Sequence, residues 1–391
     1  MVPEIELTRR IGKLQQALQK EEIAGALIIQ RADLYYFSGT GQNAHLFVPS
    51  EGEATLLVKK SMIRAGEESS LKEIRPFESW DNLKKTVTDK LDKGSKIGLE
   101  LDVLPTNLYY RYKKLFQDCH IVDISKSIRL IRSIKSDYEL ALLGEAAKIS
   151  AAVFEHAGSL IRENLSEIDL AAGLEAKARS LGHQGAVRMR GFNQELYFGH
   201  IMSGPSATTI SFFDGPTGGS GLNPSYPQGA GPALIRRGDP ILVDFVSIFD
   251  GYMIDQTRIF CIGEPAPHLK KAYDQALEIR NTLVKRGKPG ISCGELYNDA
   301  LQAAAEAGLE DYFMGYIHKV PFVGHGVGLE LDELPVIAKH VQEPLREKMV
   351  FALEPKFIFP GEGTVGIEDT FVVKPEGLER LTLTGDELVI V

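Results

Sequence analysis

Cysteine is scarce. Cys119, Cys261 and Cys293 are the only three among 391 residues, and no two stand in CxxC spacing. A disulfide framework or a cysteine-rich zinc site is thereby excluded, and the thiol usage suits a reducing compartment. Long apolar runs are lacking as well. The longest, residues 23–29 and 240–249, fall far short of the roughly 20 residues that span a bilayer. The N-terminal stretch MVPEIELTRRIGKL has no apolar core of the signal-peptide kind, so the expectation is a cytoplasmic protein with no membrane partner. Positive charge is in deficit: 44 Lys and Arg against 53 Asp and Glu give a formal charge of −9. That balance excludes a general nucleic-acid binder held by phosphate contacts. Tryptophan occurs once, at Trp80, and no function attaches to it.

What remains is ordinary globular usage, 25% charged and 43% apolar, in a chain long enough for two or three domains. The first third alternates helical and strand patterns. Leu7, Ile11, Leu14 and Leu18 predict an amphipathic helix over about 6–22. Strand patterns follow at 24–30, 53–59, 96–101 and 119–124, with helices at about 80–92 and 106–117. This alternation reads as an α/β domain with a parallel or mixed sheet. The texture changes near residue 130. Long helical runs at 136–162 and 166–182 precede a Gly/Pro-rich stretch, paired β segments, two more helices at about 268–286 and 293–307, and a β-rich end. Helices segregated from antiparallel strands indicate α+β. The division expected is an α/β domain over 1–130 and an α+β domain over 131–391.

The most informative segment is ILVDFVSIFDGYMIDQTRIF, residues 241–260. Two apolar runs flank Asp250-Gly251, the strongest short-range signal for a two-residue hairpin. That loop sets Asp244 opposite Thr257 and Asp255 opposite Val246, so the two acids share one face. Carboxylates within apolar strands repel one another unless a cation joins them; the plain alternative is a solvent-facing side of an edge hairpin. A second hairpin lies at 349–374, joined by Pro360-Gly-Glu-Gly363. An odd loop centred near Gly361 places Glu354 directly opposite Glu368, whereas an even one separates them. His325 in GHGVGLELDELP is the fifth member, its flanking glycines leaving the imidazole unobstructed. Those glycines form no phosphate-binding loop. Two Asp, two Glu and one His form an oxygen-rich set suited to Mn²⁺, Co²⁺ or Fe²⁺, with Zn²⁺ compatible. Four carboxylates exceed the need of one divalent ion, and two ions about 3.5–4 Å apart would balance them.

These residues resemble the pita-bread metallopeptidase superfamily, which holds prolidase, aminopeptidase P, methionine aminopeptidase and the metal-free creatinase. The resemblance is carried by Asp244…Asp255-Gln-Thr257-Arg258, Gly324-His-Gly-Val-Gly328, Glu354-Pro355 and Ile367-Glu368-Asp369, in the family's order. It covers about 130–391, and residues 1–130 look like the creatinase-type N-terminal domain. The resemblance implies a pita-bread catalytic domain that binds two divalent metal ions. Asp244 would chelate the first, His325 and Glu354 the second, and Asp255 and Glu368 would bridge them, with a hydroxide between the metals as nucleophile. Glu354 would also shuttle a proton to the leaving amine. A homodimer and a small peptide or small amide substrate are implied with it.

The sequence departs from the peptidase pattern at four places. Tyr226-Pro227 stands where active peptidases carry a histidine before the first Asp, Pro321 where another precedes His325, Asp332-Glu333 where a His-Glu pair follows it, and Gly366 where an Arg precedes the last Glu. In the family those histidines hold substrate and stabilise the tetrahedral intermediate, and losing such a donor costs about 2.7–4 kcal/mol of transition-state stabilisation. His200 and His318 are the candidates to compensate, surface or core placement being the alternative for each, and Asp332 is a candidate to bind a cationic substrate group. The stretch 215–231 is expected as a rim loop. The leading expectation is a dinuclear hydrolase of the Xaa-Pro dipeptidase or aminopeptidase kind. A metal-dependent lyase or non-peptide amide hydrolase on the same fold, and a low-activity binding module, are the alternatives.

Overall fold

The computed structural model describes all 391 residues, and the chain divides into two compact units, Met1–Arg132 and Ser133–Val391. No helix is long and apolar enough to cross a membrane.

In the first unit, α1 (Glu4–Lys20) buries Leu7, Ile11, Leu14 and Leu18, the stripe its sequence spacing dictates. β1 (Gly25–Ile28), α2 (Arg31–Ser38), β2 (Ala44–Pro49), β3 (Thr55–Val58), α3 (Met62–Glu68), β4 (Glu73–Pro76), α4 (Trp80–Thr88), β5 (Lys96–Leu99), α5 (Thr106–Leu115), β6 (His120–Asp123) and α6 (Ser125–Ser133) follow. The six strands form one mixed sheet in the order β4-β3-β2-β1-β5-β6. β2 is antiparallel to both β1 and β3, and the β1–β5, β3–β4 and β5–β6 pairs are parallel. Leu27, Phe47, Leu57, Leu83, Ile97 and Phe116 form its core. Five of these elements, α2, β2, α3, β4 and α6, answer to no pattern recognised in the sequence. β2 is buried at every position, so it lacks the alternation that marks a half-buried strand.

In the second unit, α7 (Asp137–Leu160) opens with a capping box in which Ser136 and Glu139 satisfy each other's backbone N–H groups. α8 (Glu167–Ser180) has Ser166 as its cap, but Asp169 is one methylene shorter than Glu and takes the serine hydroxyl at 2.6 Å rather than the cap N–H. β7 (Gly199–Ser203), β8 (Pro240–Phe249) and β9 (Tyr252–Cys261) come next. β8 and β9 are joined through Asp250 (φ 46°) and Gly251 (φ 86°), the two positive φ values of a tight primed turn. α9 (Pro267–Arg286) and α10 (Cys293–Glu306) lead to β10 (Phe322–Gly326), β11 (Glu333–Ala338), β12 (Val350–Leu353), β13 (Lys356–Phe359), β14 (Gly363–Gly366), β15 (Asp369–Lys374), β16 (Gly377–Arg380) and β17 (Val389–Ile390).

The second unit's strands assemble as β17-β9-β8-β7, β11-β10-β12-β15-β16 and the β13-β14 ribbon. Ile241, Val243 and Phe245 of β8 pack with Val153 and Phe154 of α7 and Leu174 of α8. Leu242 and its partner Ile259 point the other way, into a core with Ile279, Leu296, Val323, Phe351 and Phe371. Side-chain alternation therefore puts Asp244, Thr257 and Asp255 on the same face as Leu242, beyond the apolar part of the strand pair. That placement prepares the site.

Candidate metal centre

The β8–β9 register is the one the turn dictates: Asp244 lies opposite Thr257, and Val246 opposite Asp255. In the second hairpin β13 pairs with β14 from Lys356↔Gly366 to Phe359↔Gly363, and β12 pairs with β15 from Val350↔Val372 to Leu353↔Asp369. Both registers are centred on Gly361, so the loop is odd, and Glu354 and Glu368 sit where the two pairings meet. Thr257 and Glu368 then exchange backbone hydrogen bonds of 3.2 and 3.3 Å, which draws the two hairpins together. Thr257 Oγ1 also donates to Glu368 Oε2 at 2.8 Å.

His325 is held on β10 by its backbone pairing with Ala352 and by a hydrogen bond from Nδ1 to the Leu331 carbonyl at 2.8 Å. A carbonyl only accepts, so Nδ1 carries the proton and Nε2 faces the acids. Around Nε2 lie Asp255 Oδ2 and Glu354 Oε1 at 3.6 Å and Glu368 Oε1 at 3.7 Å. Ligand atoms of Asp255, His325 and Glu368 all fall within 4.8 Å of one another. Asp255 Oδ1 and Glu368 Oε1 are buried without a hydrogen-bond partner. Buried carboxylate oxygens left in that state are costly unless a cation meets them.

On the other side of the same acids stands Lys356, which the sequence reading did not select. Its ammonium is 2.7 Å from Glu354 Oε2, 2.7 Å from Glu368 Oε2 and 3.1 Å from Asp244 Oδ2, and its side chain is 1% exposed. The signal for it was present: Lys356 follows Glu354 by two residues, the strand period that returns a side chain to one face.

The charges act on one another strongly. Burial and the neighbouring Glu368 and Asp244 push the Asp255 carboxyl well above the carboxylate range. Burial also raises Asp244, against the opposing pull of Lys356, and carries Glu354 to about 7 despite the same ammonium. For Glu368 burial is outweighed by Lys356 and His325, which hold it at about 2. Burial alone would lower His325, but Glu368, Glu354 and Asp255 lift it to about 10. Four acids thus face two bases, and the acids' excess is felt most at Asp255, whose carboxyl burial and its neighbours push up.

The remaining candidates are placed differently. His200 lies on β7 directly opposite Asp244 in the β7–β8 pairing. It is buried, and its nitrogens approach Thr217 Oγ1 at 3.2 Å and Gln228 Oε1 at 3.4 Å, so the 215–231 stretch folds onto it. Gly199 permits this closeness, because a Cβ there would meet the Asp244 carbonyl oxygen at 2.1 Å. His318 is not drawn into the acid cluster; it lines a cleft with Ser211, Phe213, Tyr316 and Ile358. Asp332 accepts the backbone N–H groups of Arg190 and Gly191 at 2.7 and 2.9 Å, a use that ties a loop. Beneath the cluster Arg258, fully buried, places all five of its N–H donors. They reach the carbonyls of Thr257, Glu368, Thr384 and Gly385 and the Asp369 carboxylate.

Comparison with known proteins adds three findings. Residues 141–375 match the family described as metallopeptidase family M24, and residues 10–134 match the creatinase/prolidase N-terminal domain. An Xaa-Pro dipeptidase of Pyrococcus horikoshii is 29% identical over 385 residues, covering 98% of this chain and 99% of its own. Among solved structures, an Xaa-Pro dipeptidase from Bacillus anthracis superposes with a TM-score of 0.85 at 28% identity, covering 98% of this chain and all of that one. An X-Pro aminopeptidase from Thermotoga maritima gives 0.80 at 28% identity, with 97% and 99% covered.

Proposed function

The chain belongs to metallopeptidase family M24 and carries a creatinase/prolidase N-terminal domain, and on that premise we propose that it hydrolyses peptide N-terminal amides, with Xaa-Pro dipeptides as substrates. It is an Xaa-Pro peptidase-like metallohydrolase, and its family works with divalent metal ions. The observation that carries the reading is the convergence of Asp255, Glu354 and Glu368 on the Nε2 edge of His325, with two of their oxygens buried and unsatisfied.

The donor chemistry fits a divalent ion held by Asp255, His325, Glu354 and Glu368, for which Mn²⁺, Co²⁺, Fe²⁺ and Zn²⁺ are all suitable. When bound, such an ion supplies a Lewis acid for the scissile carbonyl and lowers the pKa of water at the site. The chain's own residues do the rest. Glu354, whose Oε1 faces the His325 side of the cluster, would take a proton from the attacking water and return it to the leaving amine. Thr257 and Lys356 hold Glu368 Oε2, which fixes the orientation of Oε1. His200, held by Thr217 and Gln228, shapes the wall beside Asp244. The homodimer and the cytoplasmic location expected from the sequence belong to the same proposal; three free cysteines support a reducing compartment.

A second reading, hydrolysis or elimination on a small non-peptide substrate, is favoured by Pro227, Pro321 and Gly366 at positions where peptidases keep substrate-binding donors. One assay separates the two. Protein loaded with Mn²⁺ or Co²⁺ is given Xaa-Pro dipeptides and longer Xaa-Pro peptides, with and without chelator. Chelator-sensitive release of proline from the dipeptides supports the first reading. A metal-loaded protein that cleaves no peptide overturns it and leaves the second.

A further inference from the structure

Glu354 and Glu368 each divide their two oxygens between two places. Their Oε1 atoms face His325 Nε2, at 3.6 and 3.7 Å, together with Asp255 Oδ2. Their Oε2 atoms face the Lys356 ammonium, both at 2.7 Å, together with Asp244 Oδ2 at 3.1 Å. Each place is therefore a cation position built from three carboxylate oxygens, and the two glutamates bridge them. At the position beside His325, Glu368 Oε1 is buried and still unsatisfied, and the second oxygen of Asp255, Oδ1, is buried without a partner as well. At the other, the three N–H donors of the ammonium meet three carboxylate acceptors, which is the full capacity of a lysine. A metal ion would need those same oxygens at about 2.0–2.2 Å, inside the space Nζ fills.

We propose that Lys356 is a built-in cation that occupies one of two cation positions, so that the centre takes a single divalent ion, held by Asp255, His325, Glu354 and Glu368. Asp244 then anchors the lysine and is not a metal ligand, and the two ions expected from the sequence become one. The inference deepens the metal-dependent reading above and rests on it. Two features make the lysine a fixture. Lys356 opens β13, whose pairing with Gly366 leaves no freedom to withdraw the strand. Gly366 also allows the approach, since a Cβ at that position would meet the Lys356 Cα at 2.7 Å and its Cγ at 2.8 Å. The family's arginine could not stand at 366 beside this lysine.

The test reads metal content, not activity. Full-length protein is saturated with Mn²⁺, freed of excess, and examined by elemental analysis and electron paramagnetic resonance. The wild type is expected to hold one ion per chain with the spectrum of an isolated Mn²⁺. Lys356→Ala is expected to double the content to two and to show a spin-coupled pair. Asp244→Asn is expected to keep the single ion, and Asp255→Asn to lose it. Two ions in the wild type overturn the inference and leave the metal-dependent reading standing. A content that stays at one in a folded Lys356→Ala, or that falls to zero in Asp244→Asn, also overturns it. No ion in the wild type overturns both. Should Lys356→Ala fail to fold, the wild-type spectrum and the two aspartate variants still decide.

Discussion

Replacing Arg258 should damage both stability and metal retention, because this one side chain joins three parts of the second unit. Its Nε donates to Gly385 O at 2.6 Å, one terminal nitrogen to Thr257 O and Glu368 O at 2.8 and 2.9 Å, and the other to Asp369 Oδ1 and Thr384 O at 2.7 and 3.0 Å. It is wholly buried, as is Asp369. Arg258→Met keeps much of the volume but breaks a buried ion pair, which costs on the order of 3–5 kcal/mol because the partner charge stays buried. Asp369 retains Arg280 at 2.6 Å and the Thr382 hydroxyl at 2.6 Å, which argues for the lower end. The four carbonyls pull the other way, since each buried acceptor left unmade costs about 1–3 kcal/mol when no water reaches it. These contributions overlap, so a net loss of about 4 kcal/mol is the expectation. Arg258→Lys should recover little of it, as three donors on a flexible stem cannot replace a planar fork of five.

The assay is urea unfolding followed by far-ultraviolet circular dichroism, with Mn²⁺ affinity measured separately on the folded protein. Trp80 lies in the first unit, so its fluorescence gives a separate view of that unit. The carbonyl of Glu368 is one of the groups Arg258 holds, so loosening it should weaken Mn²⁺ binding about 10–100-fold, as loss of an outer support to a ligand does. A stability loss under about 1 kcal/mol, or unchanged Mn²⁺ affinity in a destabilised variant, would refute the view that Arg258 fixes Glu368.

Three further outcomes follow from single contacts. His183 is buried, its Nε2 donates to Val246 O at 3.0 Å, its Nδ1 accepts the Gly185 N–H at 2.9 Å, and burial lowers its pKa from 6.5 to about 4. Its contribution is complete above pH 6.5 and is lost as pH falls toward 4, about 3 kcal/mol in all; His183→Gln should flatten stability against pH in that window, and an unchanged slope would count against it. Gly199→Ala forces a Cβ to within 2.1 Å of the Asp244 carbonyl oxygen at φ 148°, so thermal denaturation should show a loss of at least about 1–3 kcal/mol. Glu354→Gln keeps the shape but cannot carry a proton, and kcat on an Xaa-Pro dipeptide should fall about 10²–10⁴-fold; a fall confined to KM would remove Glu354 from the proton path.

How far the sequence could be read depended on whether a local rule governed the residue. The β8–β9 register was legible because Asp250-Gly251 allows one tight turn, and a period of two carries that turn's register to Asp244 and Asp255 six and five residues away. The second hairpin was legible up to the parity of its loop, which Gly361 at φ 76° resolves. β7 gave no such signal. It is five residues long and starts on a glycine, so its pairing with β8, and with it the place of His200 opposite Asp244, is set by tertiary closure. Asp332 was singled out by its spacing from His325, yet its oxygens are engaged by two backbone N–H groups of a distant loop. Spacing identifies a carboxylate; it does not show which donors compete for it.

Lys356 is the sharpest instance. Counting acids against ions in the sequence assumed that all the balancing charge comes from metal, because lysine is ordinarily a solvated residue. The strand that delivers Glu354 also delivers Lys356, and once one ammonium sits among four carboxylates a single divalent ion leaves the group one charge short of neutral. A second ion would leave it one charge in excess and would have to share the oxygens the ammonium already holds. A dication about 4 Å from an ammonium is repelled by on the order of 8 kcal/mol at an effective dielectric constant of about 20. For the ion at His325 that repulsion is offset by Glu354 and Glu368 lying between the two charges; for an ion on the Asp244 side nothing lies between. Electrostatics and sterics therefore point the same way, and the lysine, rather than the number of acids, sets how many ions this centre can hold.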